Sequence, residues 1–483
     1  MKLLKLLEGV EYEIHHGEDV DIKNIVIDSR KIEKGDIFIC IDGLRMDGHK
    51  YIDSAIEAGA VAVLVQKDVA FKSDATLIKV ENTRAAMSIM AGNFYNWPSQ
   101  AYKLVGFTGT NGKTSSTYFL EAILDEIGHK SGIIGTVSTR VGAEPVKTEF
   151  ATSTTPDPVE LQQIFLEMAD AKVEEVVMEV TSHALELKKV EGLEFAVSVF
   201  TNLTQDHLDL HGSMENYKLA KADLFKISDI SVINIDSEYG HFMADCAKGE
   251  VITYSIEKPS NLQALNVEYT SHGISFDVMY GEKVHFDIPV PGRFTVYNAL
   301  GVIGAAIGLK IPMESIQKAL GNLKGVPGRI QSIPNNKGIG VYVDYSHTPD
   351  SLENIITSVR EFTTGQIITI FGCGGDRDRT KRPIMGDISA RLGDFTVITS
   401  DNPRTEDPQA IVDEIETGVS PVTDRYIKLT DRREAIYYAI NMAKAGDSVI
   451  IAGKGHESYQ IFPDKTIHFD DAEEAADALA KKE

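Results

Sequence analysis

The sequence predicts an α/β protein of three domains, with a P-loop-type parallel sheet in the central domain and a doubly wound, Rossmann-like last domain. The length of 483 residues corresponds to about three ordinary domains. A glycine-rich loop at 106–114 separates an apolar strand from an amphipathic helix, which is the arrangement of a phosphate-binding loop. From residue 328 onward, apolar strands alternate with helical segments, as in a doubly wound sheet.

The composition is that of an ordinary globular protein, and it argues against several classes of binding partner. Apolar residues make up 43% of the chain and charged residues 25%. The net charge of −24 argues against a protein that wraps nucleic acid. Three widely separated cysteines, Cys40, Cys246 and Cys373, offer neither a disulfide framework nor zinc spacing, which suits a reducing cytoplasm. No segment approaches the roughly 20 apolar residues of a membrane span, so we expect a cytoplasmic protein.

Residues 1–98 are predicted to form a small α/β domain. Apolar runs predict strands at 25–27, 37–41 and 60–65 and helices at 51–58 and 84–95. Asp28, Ser29 and Arg30 follow the first strand, at the edge where α/β sheets bind ligands. By itself, this segment is more simply interpreted as a polar turn.

The central domain, predicted for residues 99–327, is organised around the glycine-rich loop. An apolar run at 103–107 predicts a strand, and apolar residues at helical spacing predict a helix over 115–127. The backbone amides of such a loop and the positive end of the helix dipole favour a phosphate group. Lys113 is expected to reach the outer phosphates, and the Thr114 hydroxyl is expected to hold Mg²⁺.

One departure from the P-loop formula leaves an alternative open. The formula requires a glycine five residues before Gly112, where this chain has Phe107. The alternative is an ordinary glycine-rich turn that contains Gly-Lys-Thr by chance. We favour the phosphate loop because the strand, the glycines, Lys-Thr and the helix follow one another in the required order.

Acidic residues follow two later strands of the central domain. One apolar strand ends in Glu179, and an acid in this position is the usual second anchor for Mg²⁺ beside a phosphate loop. Asp206 and His207 follow the next strand and can bind a hard metal or a phosphate. An exposed carboxylate and a structural histidine are the alternatives. Lys221, in the helix predicted for 216–225, is a surface lysine by periodicity alone.

Three other segments complete the central domain. A hydroxyl cluster at 152–155 is expected to cap the helix that begins near Pro158, and its four hydroxyls also suit a ligand. Short alternating segments from 251 to 288 predict a small antiparallel flap. A helix rich in alanine and glycine is predicted to begin within 292–298, and the Val-Pro-Gly at 326–328 marks the end of the domain.

In the last domain, residues 328–483, each of four predicted strands is followed by charged residues or glycines. The strands are 341–343, 367–371, 395–399 and 449–452. The loops after them contain Asp344 and His347, then Arg377, then Asp401, Asn402, Pro403 and Arg404, then Gly453 and Glu457. Parallel strands would bring these loops to one edge of the sheet. Arginines bind carboxylates and acids bind ammonium groups, so we predict a zwitterionic ligand such as an amino acid. Surface turns with salt bridges are the alternative.

The motifs together resemble those of the Mur ligase family over the whole chain. The loop 108–114 is similar to the ATP loop of that family, including its unusual glycine spacing. The segments 178–184, 201–212 and 217–225 are similar to further signatures of the family. The resemblance is strongest to members that add meso-2,6-diaminopimelate to UDP-N-acetylmuramoyl-L-alanyl-D-glutamate, a step of peptidoglycan precursor synthesis.

The resemblance implies where each substrate binds. The residues expected on the ATP side are Gly109, Thr110, Asn111, Gly112, Lys113, Thr114, Asn298, Arg329, Asp344 and His347. Those expected at the UDP-linked substrate are Ser29, Thr154, Thr155, Thr181 and Lys189. Those expected at diaminopimelate are Arg377, Asp401, Asn402, Pro403, Arg404, Gly453 and Glu457. The domains 1–98, 99–327 and 328–483 would bind the UDP-linked substrate, ATP and the amino acid, respectively.

The resemblance also implies an ADP-forming ligase that works through an acyl phosphate. Its catalytic residues would be Lys113, Glu179, His207 and Lys221. One Mg²⁺ is expected at Thr114 and Glu179. A second is expected at His207 and Lys221, because this lysine is carbamylated in relatives and thereby becomes an anion. The residue that deprotonates the attacking amine is left open between His207 and His347.

Three positions bear on the subtype and on the substrate contacts that the resemblance implies. Arg404 of Asp-Asn-Pro-Arg is absent from lysine-adding relatives, since lysine has no distal carboxylate to bind. Thr181 stands where serine is usual and keeps the hydroxyl. Lys189 stands where arginine is usual, so the charge is kept but the two-pronged grip is lost.

Three alternative functions stay open on the sequence. They are an L-lysine-adding ligase of the same family, a ligase similar to folylpolyglutamate synthase, and a nucleotide-binding scaffold without ligase activity. Asp28-Ser29-Arg30 and Asp-Asn-Pro-Arg argue against the folate ligase. A guanine-binding Asn-Lys-x-Asp box is absent from the sequence, which argues against a switch. We expect a monomer that binds these small molecules and neither nucleic acid nor a membrane.

Overall fold

The computed structural model describes residues 1–43, 46–146, 154–206 and 208–482, whose strands form three main sheets and one hairpin. The three sheets follow one another along the chain. We name each sheet, with the helices packed on it, the N-terminal, central or C-terminal unit. In the described part of the chain, the helices are too short or too polar to cross a membrane.

The N-terminal unit contains a five-stranded sheet that is parallel except at one edge. Its strands are β1 Glu13–His16, β2 Ile25–Val26, β3 Ile37–Ile39, β4 Ala62–Val65 and β5 Thr76–Lys79. Its helices are α1 Leu3–Leu6, α2 Ile52–Ala58 and α3 Thr83–Tyr95, with 3-10 turns at Ser29–Lys31, Gly48–Tyr51 and Pro98–Ala101. The strand order is β1-β5-β4-β3-β2, and β1 pairs antiparallel with β5. The sequence analysis missed β1 because all four of its residues are exposed, so no apolar alternation marks it.

The central unit contains an eleven-stranded sheet. Its strands are β6 Lys103–Thr108, β7 Ser131–Ile134, β8 Thr139–Val141, β9 Glu144–Pro145, β10 Glu175–Glu179, β11 Phe195–Phe200, β12 Ser228–Asn234, β13 Glu250–Ser255, β14 Leu262–Thr270, β15 Gly273–Tyr280 and β16 Glu282–Ile288. Its helices are α4 Lys113–Glu126, α5 Pro158–Asp170, α6 Ser182–Glu186, α7 Leu208–His211, α8 Met214–Lys226, α9 Gly240–Cys246, α10 Arg293–Gly308 and α11 Met313–Gly321. Strand β6 lies between β10 and β11 in parallel pairing. The loop after β6 therefore opens at the middle of the sheet's carboxyl edge.

Both faces of the central sheet are covered, which explains the continuous apolar runs of its inner strands. Val105 and Phe107 of β6 pack with Phe119 of α4 on one face. Leu104 of the same strand packs with Phe165 of α5 on the other face. This alternation holds the strand rigidly at the base of the loop that follows it.

The segment 251–288 contains the predicted antiparallel strands, but the antiparallel part is smaller than predicted and comprises β14, β15 and β16. Strand β13 pairs in parallel with β12, and β14 pairs in parallel with β13. Antiparallel pairing begins only between β14 and β15, and these strands extend the same sheet. The start of the antiparallel part was misplaced because β13 alternates buried and partly exposed residues, a pattern that resembles a hairpin strand.

The C-terminal unit is doubly wound, which confirms the predicted fold class. Its strands are β17 Gln331–Ser332, β18 Gly340–Asp344, β19 Ile367–Phe371, β20 Phe395–Ile398, β21 Tyr426–Lys428 and β22 Ser448–Ala452, followed by the hairpin β23 Tyr459–Ile461 and β24 Thr466–His468. Its helices are α12 Pro349–Arg360, α13 Lys381–Leu392, α14 Pro408–Val419, α15 Arg432–Met442 and α16 Asp471–Lys481. The order is β17-β18-β22-β19-β20-β21, parallel except for β17. Helices α12, α13 and α14 cover one face, and α15 and α16 cover the other.

A fully buried ion pair holds the C-terminal unit together. The Arg432 guanidinium donates to both carboxylate oxygens of Asp471 at 2.7 Å and to the Ala452 carbonyl at 3.0 Å. Substitution of Asp471 by alanine leaves this cation buried and unpaired, and we expect a loss of about 3–5 kcal/mol in the free energy of unfolding. The matched control is Glu474→Gln on the same helix, because Glu474 pairs with the exposed Arg433 and its loss should cost about 0–1 kcal/mol. Denaturant unfolding of both variants measures the difference, and equal losses would contradict the prediction.

Candidate active site

A cavity of about 790 Å³ lies between the central and C-terminal units. The predicted site residues that line it are Thr110, Asn111, Gly112, Lys113, Thr114, Thr154, Glu179, Thr181, Asn298, Arg329, Asp344 and His347. Residues far apart in the chain, from the phosphate loop to the end of β18, therefore surround one space. The size and the mixed polarity of such a cavity suit a small-molecule substrate.

The geometry of the phosphate loop depends on its glycines. The φ of Gly112 is +88°, and a Cβ there would come within 2.4 Å of Asn298 Oδ1, so only glycine fits. Helix α4 begins at Lys113, two residues earlier than predicted, so its N-terminus directly follows the loop. The Lys113 ammonium donates to the carbonyls of Gly109 and Thr110 at 2.8 and 3.0 Å. Burial lowers the pKa of Lys113 from its ordinary value.

Thr114 and Glu179 form a pair of oxygen ligands at the base of the cavity. The Thr114 hydroxyl donates to Glu179 Oε1 at 3.0 Å. Thr136 fixes the carboxylate, because its backbone N–H donates to Oε1 at 2.9 Å and its hydroxyl to Oε2 at 3.1 Å. Hydroxyl and carboxylate oxygens are the hard ligands that Mg²⁺ prefers, so these residues fit the predicted ion. Thr136 was not predicted from the sequence, because β7, the strand that it follows, was itself not predicted.

Lys221 of α8 is buried, although its periodicity indicated a surface lysine. Its side chain is 1% exposed, and its ammonium nitrogen lies 3.4 Å from Thr108 Oγ1 and 4.9 Å from the centre of the Tyr217 ring. Burial lowers the pKa of Lys221 well below its ordinary value, and the nearby Lys113 lowers it further. A cation does not suit a metal site, whereas a carbamate on this amine would supply oxygen ligands. His207, the other predicted ligand of the second ion, lies outside the described residues.

The residues predicted to bind the UDP-linked substrate lie beside Glu179, apart from Ser29. The Thr155 hydroxyl donates to the Glu179 carbonyl at 2.9 Å and accepts from the Thr181 N–H at 3.1 Å. The Lys189 ammonium donates to the Thr155 carbonyl at 3.1 Å. Ser29 begins the 3-10 turn at the end of β2, at the carboxyl edge of the N-terminal sheet.

The prediction that the hydroxyl cluster caps the helix beginning at Pro158 is wrong for its described members. The N-cap residue is Asp157, which makes no side-chain capping hydrogen bond. Thr155 bonds to β10, and the Thr154 hydroxyl lies 3.1 Å from that of Thr136. Residues 152 and 153 lie outside the described residues. Thr154 therefore lines the cavity, and Thr155 binds β10.

Arg329, Asp344 and His347 form the C-terminal wall of the cavity. Asp344 is buried and accepts two backbone N–H groups, which fixes the loop after β18. The Arg329 guanidinium lies 4.6 Å from the centre of the Tyr345 ring. The His347 ring lies 4.7 Å from the same centre. This wall offers a cation and ring faces, which can contact an aromatic base.

The residues predicted to bind the amino acid meet at the carboxyl edge of the C-terminal sheet. The Asn402 amide donates to Glu457 Oε2 at 2.8 Å. The Arg404 guanidinium donates to the Gly375 carbonyl at 2.8 Å. The loops after β19, β20 and β22 therefore adjoin, as the predicted parallel order requires. Arg377 lies on the first of these loops and is exposed.

Asp401, Pro403 and Gly453 are buried parts of the same edge. The Asp401 carboxylate accepts the N–H of Asn402 at 2.6 Å. The φ of Gly453 is +119°, and a Cβ there would come within 2.7 Å of Asp401 Oδ2. The backbone of the loop after β22 therefore passes close to the acid in the loop after β20, and glycine is required for that approach.

Lys454 is a site residue that the sequence analysis did not assign. Its ammonium group is fully buried and donates to Glu457 Oε2 at 3.2 Å and to the Tyr459 carbonyl at 2.5 Å. It also lies 3.4 Å from Asn402 Oδ1. The Lys454 side chain thus contacts Glu457 and Asn402, two of the residues predicted to bind the amino acid. A lysine between two glycines after a buried strand was the available signal.

Comparisons with known proteins agree with this geometry. Three family models match the chain, described as Mur ligase family, catalytic domain over residues 21–95, Mur ligase middle domain over 107–306, and Mur ligase, glutamate ligase domain over 328–455. A Clostridium botulinum protein named "UDP-N-acetylmuramoyl-L-alanyl-D-glutamate--2,6-diaminopimelate ligase" is 46% identical over 479 residues, which cover 98% of each chain. A Clostridium tetani protein of the same name is 47% identical over 480 residues, again 98% of each chain.

A solved structure supports the same relationship across the whole chain. It is titled "Structure of UDP-N-acetylmuramoyl-L-alanyl-D-glutamate--2, 6-diaminopimelate ligase" and superimposes with a TM-score of 0.68 at 30% identity, covering 95% of each chain. The family models together match most of the sequence, and the phosphate loop, Glu179 and the C-terminal wall lie around one cavity. The chain therefore belongs to the Mur ligase family.

Proposed function

We propose that this chain is an ATP-dependent, ADP-forming ligase that adds meso-2,6-diaminopimelate to UDP-N-acetylmuramoyl-L-alanyl-D-glutamate in peptidoglycan precursor synthesis. The observation that carries the proposal is that the phosphate loop and the C-terminal wall line the same cavity. The carboxyl edge of the C-terminal sheet, where the residues predicted to bind the amino acid meet, is called the amino-acid edge. It adjoins this wall, because the Gly453 N–H donates to the Asp344 carbonyl at 3.0 Å. The relatives are named for this activity.

The proposal assigns one substrate to each part of the chain. Residues 1–98 would bind the uridine nucleotide through the region of Ser29. Residues 99–327 would bind ATP and the muramoyl dipeptide, and residues 328–483 would bind the amino acid. We propose that the enzyme works in the cytoplasm as a monomer, since each chain carries all three sets of residues.

The first step would activate the D-glutamate carboxylate. A γ-carboxylate oxygen attacks the γ-phosphorus of ATP, the bond to the β-phosphate oxygen breaks, and ADP leaves an acyl phosphate behind. Lys113 and the backbone N–H groups at the start of α4 stabilise the negative charge on the transferring phosphoryl group. Thr155, Thr181 and Lys189 orient the acceptor carboxylate beside this group.

Two sets of residues would hold magnesium. Thr114 and Glu179 form the first set, and His207 with carbamylated Lys221 would form the second. Bound Mg²⁺ would neutralise charge on the phosphate oxygens. The hydrogen bond between Thr114 and Glu179 and the burial of both residues support the first set.

The second step would form the amide bond. The free amine of diaminopimelate attacks the acyl carbon, the bond to the phosphate oxygen breaks, and inorganic phosphate leaves. The attacking amine must lose its proton, and His347 or His207 would accept it. Asp401, Glu457 and Arg404 orient the amino acid, so that its amine reaches the acyl phosphate when the C-terminal unit is closed on the centre.

ADP release measured with the UDP-linked dipeptide and Mg-ATP tests the proposal, with meso-diaminopimelate and L-lysine compared as the third substrate. We expect turnover with diaminopimelate and little with lysine. Preference for lysine would assign the chain to the lysine-adding subtype. Release that depends on folate would favour the folate ligase, and no turnover that depends on an amino acid would favour a non-catalytic scaffold.

Substitution of Lys454 by methionine is expected to weaken amino-acid binding selectively. Methionine keeps the length but removes the charged hydrogen bonds to Glu457 and Tyr459. Loss of such bonds costs about 1.5–3 kcal/mol, which corresponds to about a 10–100-fold rise in KM for diaminopimelate. The KM for ATP should stay within about twofold, because Lys454 touches no residue of the phosphate loop in the described contacts. Lys465→Met, at an exposed lysine of the same unit, is the matched control, and equal changes in both KM values would contradict the prediction.

A further inference from the structure

The residue behind this inference is Asp350, in the first turn of helix α12 of the C-terminal unit. Its Oδ2 accepts the side-chain amide of Asn111 at 2.8 Å and the hydroxyl of Thr204 at 3.2 Å. Asn111 belongs to the phosphate loop, and Thr204 lies in the loop after β11. One carboxylate oxygen therefore joins the C-terminal unit to two loops of the central unit.

The helix that carries Asp350 does not need this carboxylate for its own start. Thr348 and Ser351 form a reciprocal capping box at the N-terminus of α12. Within α12, Asp350 accepts a side-chain hydrogen bond from the Asn354 amide at 3.1 Å. An acid in the first turn is usually explained by the helix dipole. Here that explanation leaves the two bonds to the central unit unexplained.

Asn111 and Thr204, the two partners of Asp350, are also held in place by backbone hydrogen bonds within the central unit. The Asn111 N–H donates to Asn202 Oδ1 at 2.9 Å, so its backbone is set independently of the C-terminal unit. The Thr204 N–H donates to the Thr110 hydroxyl at 3.0 Å. Asp350 therefore contacts a prearranged pair of loops that are already bonded to each other.

The same helix directly follows the C-terminal wall of the cavity. Strand β18 ends at Asp344, the loop continues to His347, and α12 begins at Pro349. Gly453, at the amino-acid edge, donates its N–H to the Asp344 carbonyl at 3.0 Å. Asp350, which is bonded to the phosphate loop, therefore lies a few residues along the chain from the C-terminal wall of the cavity. Through Asp344 of that wall it is also connected to the amino-acid edge.

We propose that Asp350 is a positioning residue that ties the C-terminal unit to the phosphate loop. Through Asn111 and Thr204, it sets the distance between the ATP-binding loop and the residues that the C-terminal unit contributes to ATP and to the amino acid. Its role in turnover rests on the proposed function. Its role in holding the two units together does not.

The kinetic test uses the full-length enzyme with Asp350→Ala. Loss of hydrogen bonds to a charged group corresponds to about a 10–100-fold effect. We expect a rise of this size in the KM values for ATP and diaminopimelate, because the C-terminal unit contributes to both sites. The KM for the UDP-linked dipeptide should stay within about twofold, since its expected contacts lie in the other units. A general folding defect would not raise the KM values of two substrates and leave that of the third unchanged. An equal rise in all three KM values, or no rise in any, would overturn the proposal.

Three further variants separate this role from a structural one. Asp350→Asn keeps an acceptor oxygen and should restore most of the activity. Glu353→Gln removes a charge from an exposed position of the same helix and should behave as the wild type. Thr204→Val removes one of the two bonds, and its effect should not add to that of Asp350→Ala, since both substitutions break the same contact. Additive effects would overturn the assignment of Thr204 as a partner.

Small-angle X-ray scattering of the ligand-free proteins tests the tie without any assay of activity. We expect a larger radius of gyration for Asp350→Ala than for the wild type, Asp350→Asn and Glu353→Gln. An unchanged radius would overturn the proposal. If the wild type shows no turnover with any amino acid, the proposed function fails while the scattering result still decides the role of Asp350. Thr204→Val supplies the same comparison if Asp350→Ala does not fold.

Discussion

Substitution of Lys221 by alanine is expected to lower turnover by about a thousandfold, the upper range for loss of one group that stabilises transition-state charge in a water-excluded site. The side chain is buried beside Lys113, and burial keeps its pKa well below the ordinary value. The lowered pKa makes the neutral amine, which is the form that reacts with carbon dioxide, more available than in an ordinary lysine. The resulting carbamate would place negative charge and oxygen ligands where the second Mg²⁺ is proposed. ADP release under saturating substrates measures the loss.

The pH dependence of the modification follows from the direction of this pKa. A lowered pKa extends the neutral amine to lower pH, and acid that protonates it should remove the carbamate. Occupancy should therefore rise with pH and with added bicarbonate, as read by native mass spectrometry of the wild type. Bicarbonate should not rescue Lys221→Ala, which has no amine to modify.

Lys226 provides the matched control on the same helix. It is paired with Asp223 at 2.7 Å, and this hydrogen bond raises its pKa, so it stays a cation and is not modified. Lys226→Ala should keep turnover within about twofold of the wild type, as expected for an exposed ion pair. Full activity of Lys221→Ala would remove the proposed role of the carbamate.

Substitution of Arg404 by alanine is expected to abolish the preference for diaminopimelate over lysine. Arg404 lies at the amino-acid edge, where its guanidinium donates to the Gly375 carbonyl and its N–H to the Ile461 carbonyl. A guanidinium has five N–H donors, so one bond to Gly375 leaves the group able to bind a carboxylate. Truncating one partner of a buried charge pair costs about 2–5 kcal/mol. We therefore expect kcat/KM for diaminopimelate to fall by about 30- to 4,000-fold.

Lysine lacks the distal carboxylate, so its low kcat/KM should change little in Arg404→Ala. Parallel assays with the two amino acids measure the ratio. Arg425→Ala, at an exposed arginine of the same unit, should leave the ratio unchanged. An equal loss with both amino acids would mean that Arg404, whose φ is +52°, serves to hold its own loop rather than to recognise a carboxylate.

Much of the fold followed from local patterns. The strand before the phosphate loop and four strands of the C-terminal unit, β18, β19, β20 and β22, were predicted to within one or two residues at each end. Continuous apolar runs mark several strands that are buried on both faces, such as β4 and β22. The exposed β1 and the short β21 lack such runs and were not predicted, and the buried β5 and β7 were not predicted either.

Some residues of the candidate site were predicted from the sequence, and others were not. Residues within a motif, such as Lys113 and Glu179, were assigned because their neighbours in sequence indicated a strand end or a loop. Thr136, Lys454 and Asp350 were not assigned. Thr136 and Asp350 bond to residues that are distant in sequence, whereas Lys454 bonds both to the nearby Glu457 and to the distant Asn402. Asp350 and its partner Asn111 are 239 residues apart, and an acid in a first helical turn has a sufficient local explanation.

Local spacing and residue type were enough to predict the phosphate loop, the alternation of strands and helices in the last domain and the resemblance to the Mur ligases, since each depends on a short stretch of sequence. Only the tertiary structure decided that Lys221 is buried beside Lys113, that Thr155 binds β10 instead of capping a helix, and that the antiparallel strands extend the central sheet. Burial and pairing depend on which distant segments meet. A local pattern specifies which face of an element is apolar, but it does not specify what covers that face.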